Sequence, residues 1–272
     1  NNTSVQLSNA TVDVGSIDIE NQIFNINRVN INGLFVDVFL YDWEEDSTLV
    51  EGENIIATAD EIPDFFFEEE SGALKLNIPD SVKVEGMLLT LDRVKGINNS
   101  FKLTNTRSFV KPVIREGSVD YSNMLVEDIN FNFNAVKFVD KVFTAENSDM
   151  NFEEQSGFVC ERLYANELEL SSDHLNLFDM ELRTDKSVLG DSICLNFKEY
   201  SAFSRFPFEV SLDVRINEGM VAVEDVMKVA PSLRDNRFFT LNSAELFMLS
   251  GQVKGVVDDL RGREIDIQLG RD

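Results

Sequence analysis

Few side chains in this sequence are of a type that does chemistry. His174 is the single histidine and the one group suited to moving a proton near neutral pH. It stands in Ser-Ser-Asp-His174-Leu, a turn signature, which predicts a solvated turn residue, and the sequence offers it no catalytic partner. The chain has 2 cysteines, Cys160 and Cys194, too few for a metal cage or a disulfide framework. Each lies in a strand-like run, so separate buried thiols acting as small hydrophobes are expected. A disulfide would need their strands adjacent in an oxidising compartment. No GxSxG, HExxH, CxxC, GxGxxG or EF-hand loop occurs. With 49 acidic residues, carboxylate pairs arise by chance and carry no weight for glycoside hydrolysis. Neither an enzyme nor a metal or organic cofactor is expected.

The elements that must position any site are strands. Period-two alternation runs nearly end to end, as in Val12-Asp-Val14, Ile17-Asp-Ile19, Ile129-Asn-Phe131-Asn-Phe133, Leu168-Glu-Leu170 and Ile265-Asp-Ile267-Gln-Leu269. Successive strand side chains point to opposite faces, so each run has one apolar face and one polar face. Residues 4–42 read as four strands (Val5–Leu7 into Val14, Ile17–Ile19, Phe24–Ile31, Leu34–Leu40), with turns at Gly15, Asn21 and Gly33. Strands resume at Ala73–Ile78, Val82–Val84 and Met87–Leu91. A break falls near Asn105–Gly117, where Lys111-Pro112 interrupts any central strand. The meander continues through Leu125–Phe133, Val136–Phe138, Val142–Thr144, Phe158–Leu163, Leu168–Leu170, Leu175–Leu182 and Val188–Phe197. It closes with Phe239–Leu241, Glu245–Leu249, Gln252–Val257 and Glu264–Leu269.

Only Lys198–Arg205, before Pro207, and Val223–Arg234, around Pro231, look helical. About fifteen strands with short connections predict an antiparallel meander. At about 4.8 Å per strand they would run about 70 Å. No strand–helix–strand period supports a parallel α/β fold.

Composition sets further bounds. Lys plus Arg number 24 against 49 acids, for a net charge of −25. Such a field repels phosphate backbones and anionic membrane surfaces, so nucleic acid is excluded as a partner. No run of eighteen apolar residues spans a membrane. The chain opens at Asn1 without Met or leader, so a mature form or excised fragment is expected. Residues 43–72 form an acidic, aromatic insertion in which Phe65-Phe66-Phe67 is expected to cap a sheet end or edge. A membrane or partner plug is the alternative. The triplets Asp46-Ser-Thr, Asp80-Ser-Val and Asp191-Ser-Ile resemble the O-glycosylation sequon of Bacteroidota envelope proteins.

Three phrases in the second half go beyond texture. Val126-Glu-Asp-Ile-Asn-Phe-Asn-Phe133 is followed by Thr144-Ala-Glu-Asn-Ser and by Phe152-Glu-Glu-Gln-Ser-Gly-Phe158. The strand string then runs Leu163–Leu170, Leu175–Leu182 and Arg183–Ser187. Later come Val229-Ala-Pro-Ser-Leu-Arg234 and Leu249–Leu260. This series resembles the Bacteroidota branch of TamB and AsmA-like envelope proteins over residues 118–270. Residues 1–110 are similar only in strand texture and differ by the insertion. The resemblance implies an all-β chain whose long, curved, mostly antiparallel sheet forms a U-shaped groove (a β-taco) with one or two short helices. On that reading, 1–110 is an N-terminal β region and 118–272 a repeating groove region, together one continuous sheet. It further implies a periplasmic location, in a protein anchored to the inner membrane by a segment outside this sequence. The groove would shield phospholipid or other envelope-lipid acyl chains for transport and outer-membrane biogenesis, with an outer-membrane β-barrel as a partner.

Candidate groove-lining residues are then Leu89, Leu91, Ile129, Phe131, Phe133, Leu168, Leu170, Leu175, Leu177, Ile193, Leu195, Phe197, Val210, Leu212, Val214, Ile265, Ile267 and Leu269. A one-residue slip would exchange the two faces. The alternation alone is shared by any β-sandwich or β-solenoid with a sealed core. A surface or secreted protein of that kind, binding carbohydrate or a host ligand, is the competing reading, with Trp43 and Tyr41 as its aromatic platform. A hydrolase ranks third.

Overall fold

The structure, a computed structural model, describes residues 2–40, 87–106 and 116–269. The insertion at 43–72, the strands read at 73–78 and 82–84, the Lys111-Pro112 break and the Tyr41–Trp43 pair lie outside the described residues. The rest is all-β. Eleven strands form one open sheet in strict chain order, with residues 2–40 and 87–106 in the same sheet as the strands after residue 116. They are β1 (Asn2–Asp18), β2 (Ile23–Leu40), β3 (Leu88–Asn105), β4 (Asn123–Val139), β5 (Val142–Glu154) and β6 (Phe158–Leu170), then β7 (His174–Arg183), β8 (Val188–Asn196), β9 (Ser211–Ala222), β10 (Leu246–Val256) and β11 (Asp259–Leu269). Every neighbouring pair is antiparallel except β2 and β3, which run parallel with Val29 opposite Val94. Eleven strands at about 4.8 Å make a sheet about 48 Å across, shorter than the sequence predicts.

The strands are fewer because they are longer. Val136–Phe138 is not a separate strand but the end of β4, and Leu168–Leu170 is the end of β6. Gly33, read as a turn, instead lies inside β2, which continues through it with φ +66°. Bulges recur at matching register positions: Ala135 on β4, Asn147 on β5, Asp179 on β7, Asp191 on β8 and Glu218 on β9 all have positive φ. A bulge bends its strand and shifts the side-chain parity. On β6, between the positive-φ residues Asn147 of β5 and Asp179 of β7, the apolar positions change from Leu163 and Ala165 to Leu168 and Leu170. These still pack together, with Ala165, Leu177 and Met180 buried among Leu163, Leu168, Leu175, Leu182 and Ile193.

Asparagine side chains repair the ladder where bulges break it. Buried Asn99 accepts from the Leu34 N–H at 3.0 Å and donates to the Ile129 carbonyl at 3.0 Å, linking β2 to β4 through β3. Asn130 donates to Asn151 at 2.9 Å, and Asn134 donates to the Asn147 carbonyl at 3.0 Å.

The bends fold the sheet into a U. Tyr121 precedes β4 at one strand end, whereas Phe206 lies between β8 and β9 at the opposite end. Yet their rings stack 5.5 Å apart at 8°. Straight, the 9 residues of β8 would hold those ends about 30 Å apart. The intervening 3-10 turn, Tyr200–Arg205, covers only about 12 Å. Curvature brings the two lips together.

Helical segments decorate the lips: α1 (Phe206–Glu209), α2 (Val223–Val229), a 3-10 turn at Pro231–Asp235 and α3 (Arg237–Leu241). The sequence expectation of helix near 198–205 and 223–234 matches these, whereas Phe239–Leu241 is helix rather than strand. There Asn236 caps α3 by accepting from the Phe238 N–H at 2.9 Å, and β-propensity yields to the local cap.

Candidate functional site

Cross-strand partners share a face, so the ladder shows which predicted lining residues come together. Leu89 opposes Phe138, Leu91 opposes Val136, Phe131 opposes Gly96 and Phe133 opposes Val94. Ile129 stands opposite Asn99 at a bulge. Leu168 and Leu170 oppose Leu177 and Leu175, which oppose Ile193 and Leu195. The last two oppose Val214 and Leu212. On β11, Ile267 pairs with Leu249 and Leu269 is in register with Phe247. The Ile265 side chain sits over Gly262. The aromatic contacts tie β4 to β5: Phe131 stacks on Phe133 at 5.0 Å, and Phe133 meets Phe143 edge-on at 6.2 Å. By this register apolar positions of β3 and β4, and of β6 to β9, stand side by side, and Val29, Val94, Met180 and Leu182 join them beyond the residues read from the sequence. Gly96 has no room for a Cβ beneath the Phe131 ring, so glycine lets that ring lie flat on the wall.

The wall is covered unevenly. On β1 its apolar residues are open, with Val12 54% and Ile17 54% exposed. From β2 to β5 most are half-buried, Phe131 and Phe133 included. Over β6 to β9 it is packed more tightly: Ala165, Leu177 and Met180 are buried, while Leu168, Leu170, Leu175, Ile193, Leu195, Leu212 and Val214 are half-buried. Phe197 and Val210 form a buried cluster with Ala202 of the 200–209 segment, and Leu170, Leu175, Leu195, Phe203 and Phe206 pack against that cluster. Val210 is 0% exposed. An aromatic series crosses the groove here, from Phe197 to Phe203 at 4.9 Å, on to Phe206 at 6.0 Å, and to Tyr121.

Tyr121 is held from the other side by α2, its hydroxyl donating to the Val229 carbonyl at 2.6 Å. Burial raises its phenol pKa, and Glu154 adds to that. The α2 segment runs along this lip as a clasp. Buried Asp225 accepts from Thr184 and Ser187, both at 2.6 Å. Lys228 donates to the Gly157 carbonyl at 3.0 Å, and the Val119 N–H donates to the Lys228 carbonyl at 2.8 Å. The Phe203-x-x-Phe206 spacing inside a helical stretch was the available sequence signal for this cover.

The Glu-x-Ser-Gly-Phe phrase is the β5–β6 turn. The Glu154 carboxylate accepts from the Ser156 N–H at 2.8 Å, and Gly157 adopts φ +85°, a conformation that glycine takes without strain.

His174 is better connected than the sequence indicates. Its Nε2 lies 2.8 Å from Glu169 and its Nδ1 2.7 Å from Asp173. The hydrogen bond to Glu169, then that to Asp173, raises the imidazole pKa. Ser171 Oγ lies 2.8 Å from Nδ1, but it also donates to Asp173 at 2.6 Å and accepts from the backbone N–H groups of Asp173 and His174. That pattern closes the β6–β7 turn.

Cys160 and Cys194 are both free. Burial pushes the Cys160 thiol up to about 12. Cys194 is only half-buried, and it stands opposite Asn176 on the outer face. Of the three sequon-like triplets, Asp191-Ser-Ile lies on β8 with Ser192 buried, whereas Asp46 and Asp80 lie outside the described residues. Among the described residues no group of acids, histidine and cysteines could hold a metal ion, and no helix is long and apolar enough to cross a membrane. No family model matches this chain, nor does any curated protein or solved structure.

Proposed function

We propose that this chain shields lipid acyl chains against its concave face, as part of a TamB/AsmA-like periplasmic protein serving lipid transport and outer-membrane biogenesis. One observation carries the reading. From β1 to β5 the apolar wall is continuous across strands, and apart from Val136, which is buried, its large side chains, Phe131 and Phe133 among them, stay half-buried or exposed. A sealed core would bury Phe131 and Phe133; an exposed apolar strip of this length marks a surface that something apolar occupies. Methylenes laid on it gain about 0.8 kcal/mol each when fully buried. Half-burying a tail of about sixteen carbons therefore gives on the order of 6 kcal/mol. The net charge of −25 is compatible with hydrocarbon on the inner face and disfavours polyanions anywhere on the molecule. A sandwich with a sealed core would need a second sheet, whereas the described residues form one.

The test is lipid mass spectrometry of the chain purified without detergent from a Gram-negative cell. Copurifying phospholipid is expected, and Phe131→Asp should remove most of it with strand content unchanged by circular dichroism. Lipid-free protein, or equal lipid on the variant, would overturn the reading. Leu195→Asp is unsuitable as a probe, because Leu195 packs against the buried cluster of Phe197, Ala202 and Val210.

A further inference from the structure

The crossing of the groove by residues 200–209 does not follow from shielding alone. A uniform trough would leave every strand's inner face equally open, whereas here one strand connection turns inward. Phe203 and Phe206 pack against the same buried cluster of Phe197, Ala202 and Val210 as the leucines Leu170, Leu175 and Leu195 of β6, β7 and β8, where an acyl chain would otherwise run. Phe206 then meets Tyr121 from the opposite lip at 5.5 Å. Rings in contact leave no passage for a methylene chain, which needs about 4 Å to each neighbouring atom. The opposing side is fixed too. Tyr121 is bonded to α2, and α2 is tied along its lip through Asp225 and Lys228. Arg234 donates to Ser118 at 2.6 Å, which fixes the segment leading to Tyr121.

We propose that Phe203, Phe206 and Tyr121 form a stop in the groove. Acyl chains occupy the wall of β1 to β5 and end at this aromatic bridge, and the inner face of β7 to β9 takes lipid only when the bridge opens. The proposal rests on the acyl-shielding reading and adds where the lipid ends and which residues end it.

The test uses the full chain with a photo-crosslinking amino acid at Phe131, in the open part, or at Leu212, behind the bridge, mixed with phosphatidylethanolamine vesicles. Position 131 should crosslink phospholipid and position 212 should not. In Phe203→Ala/Phe206→Ala, with circular dichroism confirming retained strand content, position 212 should rise to the level of position 131. If the double variant loses strand content, Tyr121→Phe serves. It frees the ring from the Val229 carbonyl without removing it, and should raise crosslinking at 212 part of the way. Equal crosslinking at both positions in the unaltered chain would overturn the stop and leave acyl shielding standing. A position 212 that stays dark in a folded double variant would do the same. No crosslinking at 131 in any form would overturn acyl shielding, and the stop with it.

Discussion

The two halves of this sheet are built from the same alternation and end in different states. From β1 to β5 the apolar face is open at the β1 edge, where Val12 and Ile17 are more than half exposed, and half-buried at Phe131 and Phe133, with Val136 buried. From β6 to β9 the same kind of face is more deeply buried at its centre, with Met180 at 4% and Leu177 at 6% exposed, while Leu212 and Val214 stay half-buried. Among the described residues the connections differ more than the strands do. The β1–β2 and β4–β5 links are tight turns, whereas the β8–β9 and β9–β10 links carry the aromatic and helical residues that close the groove. A β-sheet of one pattern thus yields an open face or a more buried one according to what packs across it.

Charge placement breaks the comparison most sharply. Met180→Asp puts a carboxylate into closed surroundings and should cost about 4 kcal/mol or more. Phe133→Asp, on the open wall, should cost about 1–2 kcal/mol because its charge remains hydrated. Urea denaturation of both variants measures this; equal losses would mean that the open wall is a core as well.

The bends come next. Asn99→Leu removes the partner of the Leu34 N–H and of the Ile129 carbonyl. Two unpaired backbone groups should lower stability by about 2–4 kcal/mol, read as a shift in the urea midpoint with an unchanged m-value.

A smaller effect of opposite sign is expected at Ala135, which holds φ +47°. Glycine removes the steric cost of that conformation, so Ala135→Gly should stabilise by about 0.5–1 kcal/mol, seen as a raised Tm.

The smallest effect concerns His174. Its folded-state pKa is raised above 6.5 by Glu169 and Asp173. The stability it contributes is therefore full below about pH 6.5 and fades as pH rises through the folded value. Because this is the single histidine, its Cε1 proton resonance gives the titration directly, and Glu169→Gln should move the midpoint down.

The alternation made the sheet, its order and the inner faces of β6 to β9 legible from Leu168, Leu175, Ile193 and Leu212. Strand lengths were not legible. At Ala135 and at Asn166–Glu167 the apolar parity shifts, and a parity shift reads as a turn when only local sequence is visible. The ladder shows that the chain bends there without reversing, because its neighbours bend at the same level. The bridge was half legible. The helical stretch before Pro207 was visible, but its inward docking on Tyr121, far away in sequence, depends on curvature that no local window contains. The partners of His174 were hidden likewise, since Glu169 reaches it only across the β6–β7 ladder.

Openness of the β1 to β5 wall is the property on which acyl shielding depends, and cysteine labelling measures it directly. In a Cys160→Ala/Cys194→Ala background, Phe131→Cys and Leu177→Cys are each treated with a small maleimide, with and without phospholipid vesicles. Cysteine at 131 should label at a rate approaching that of an exposed control and be protected by phospholipid, while cysteine at 177 stays unreactive throughout. If cysteine at 131 is as unreactive as cysteine at 177 without lipid, the face is a closed core and the chain has no open wall on which to shield lipid.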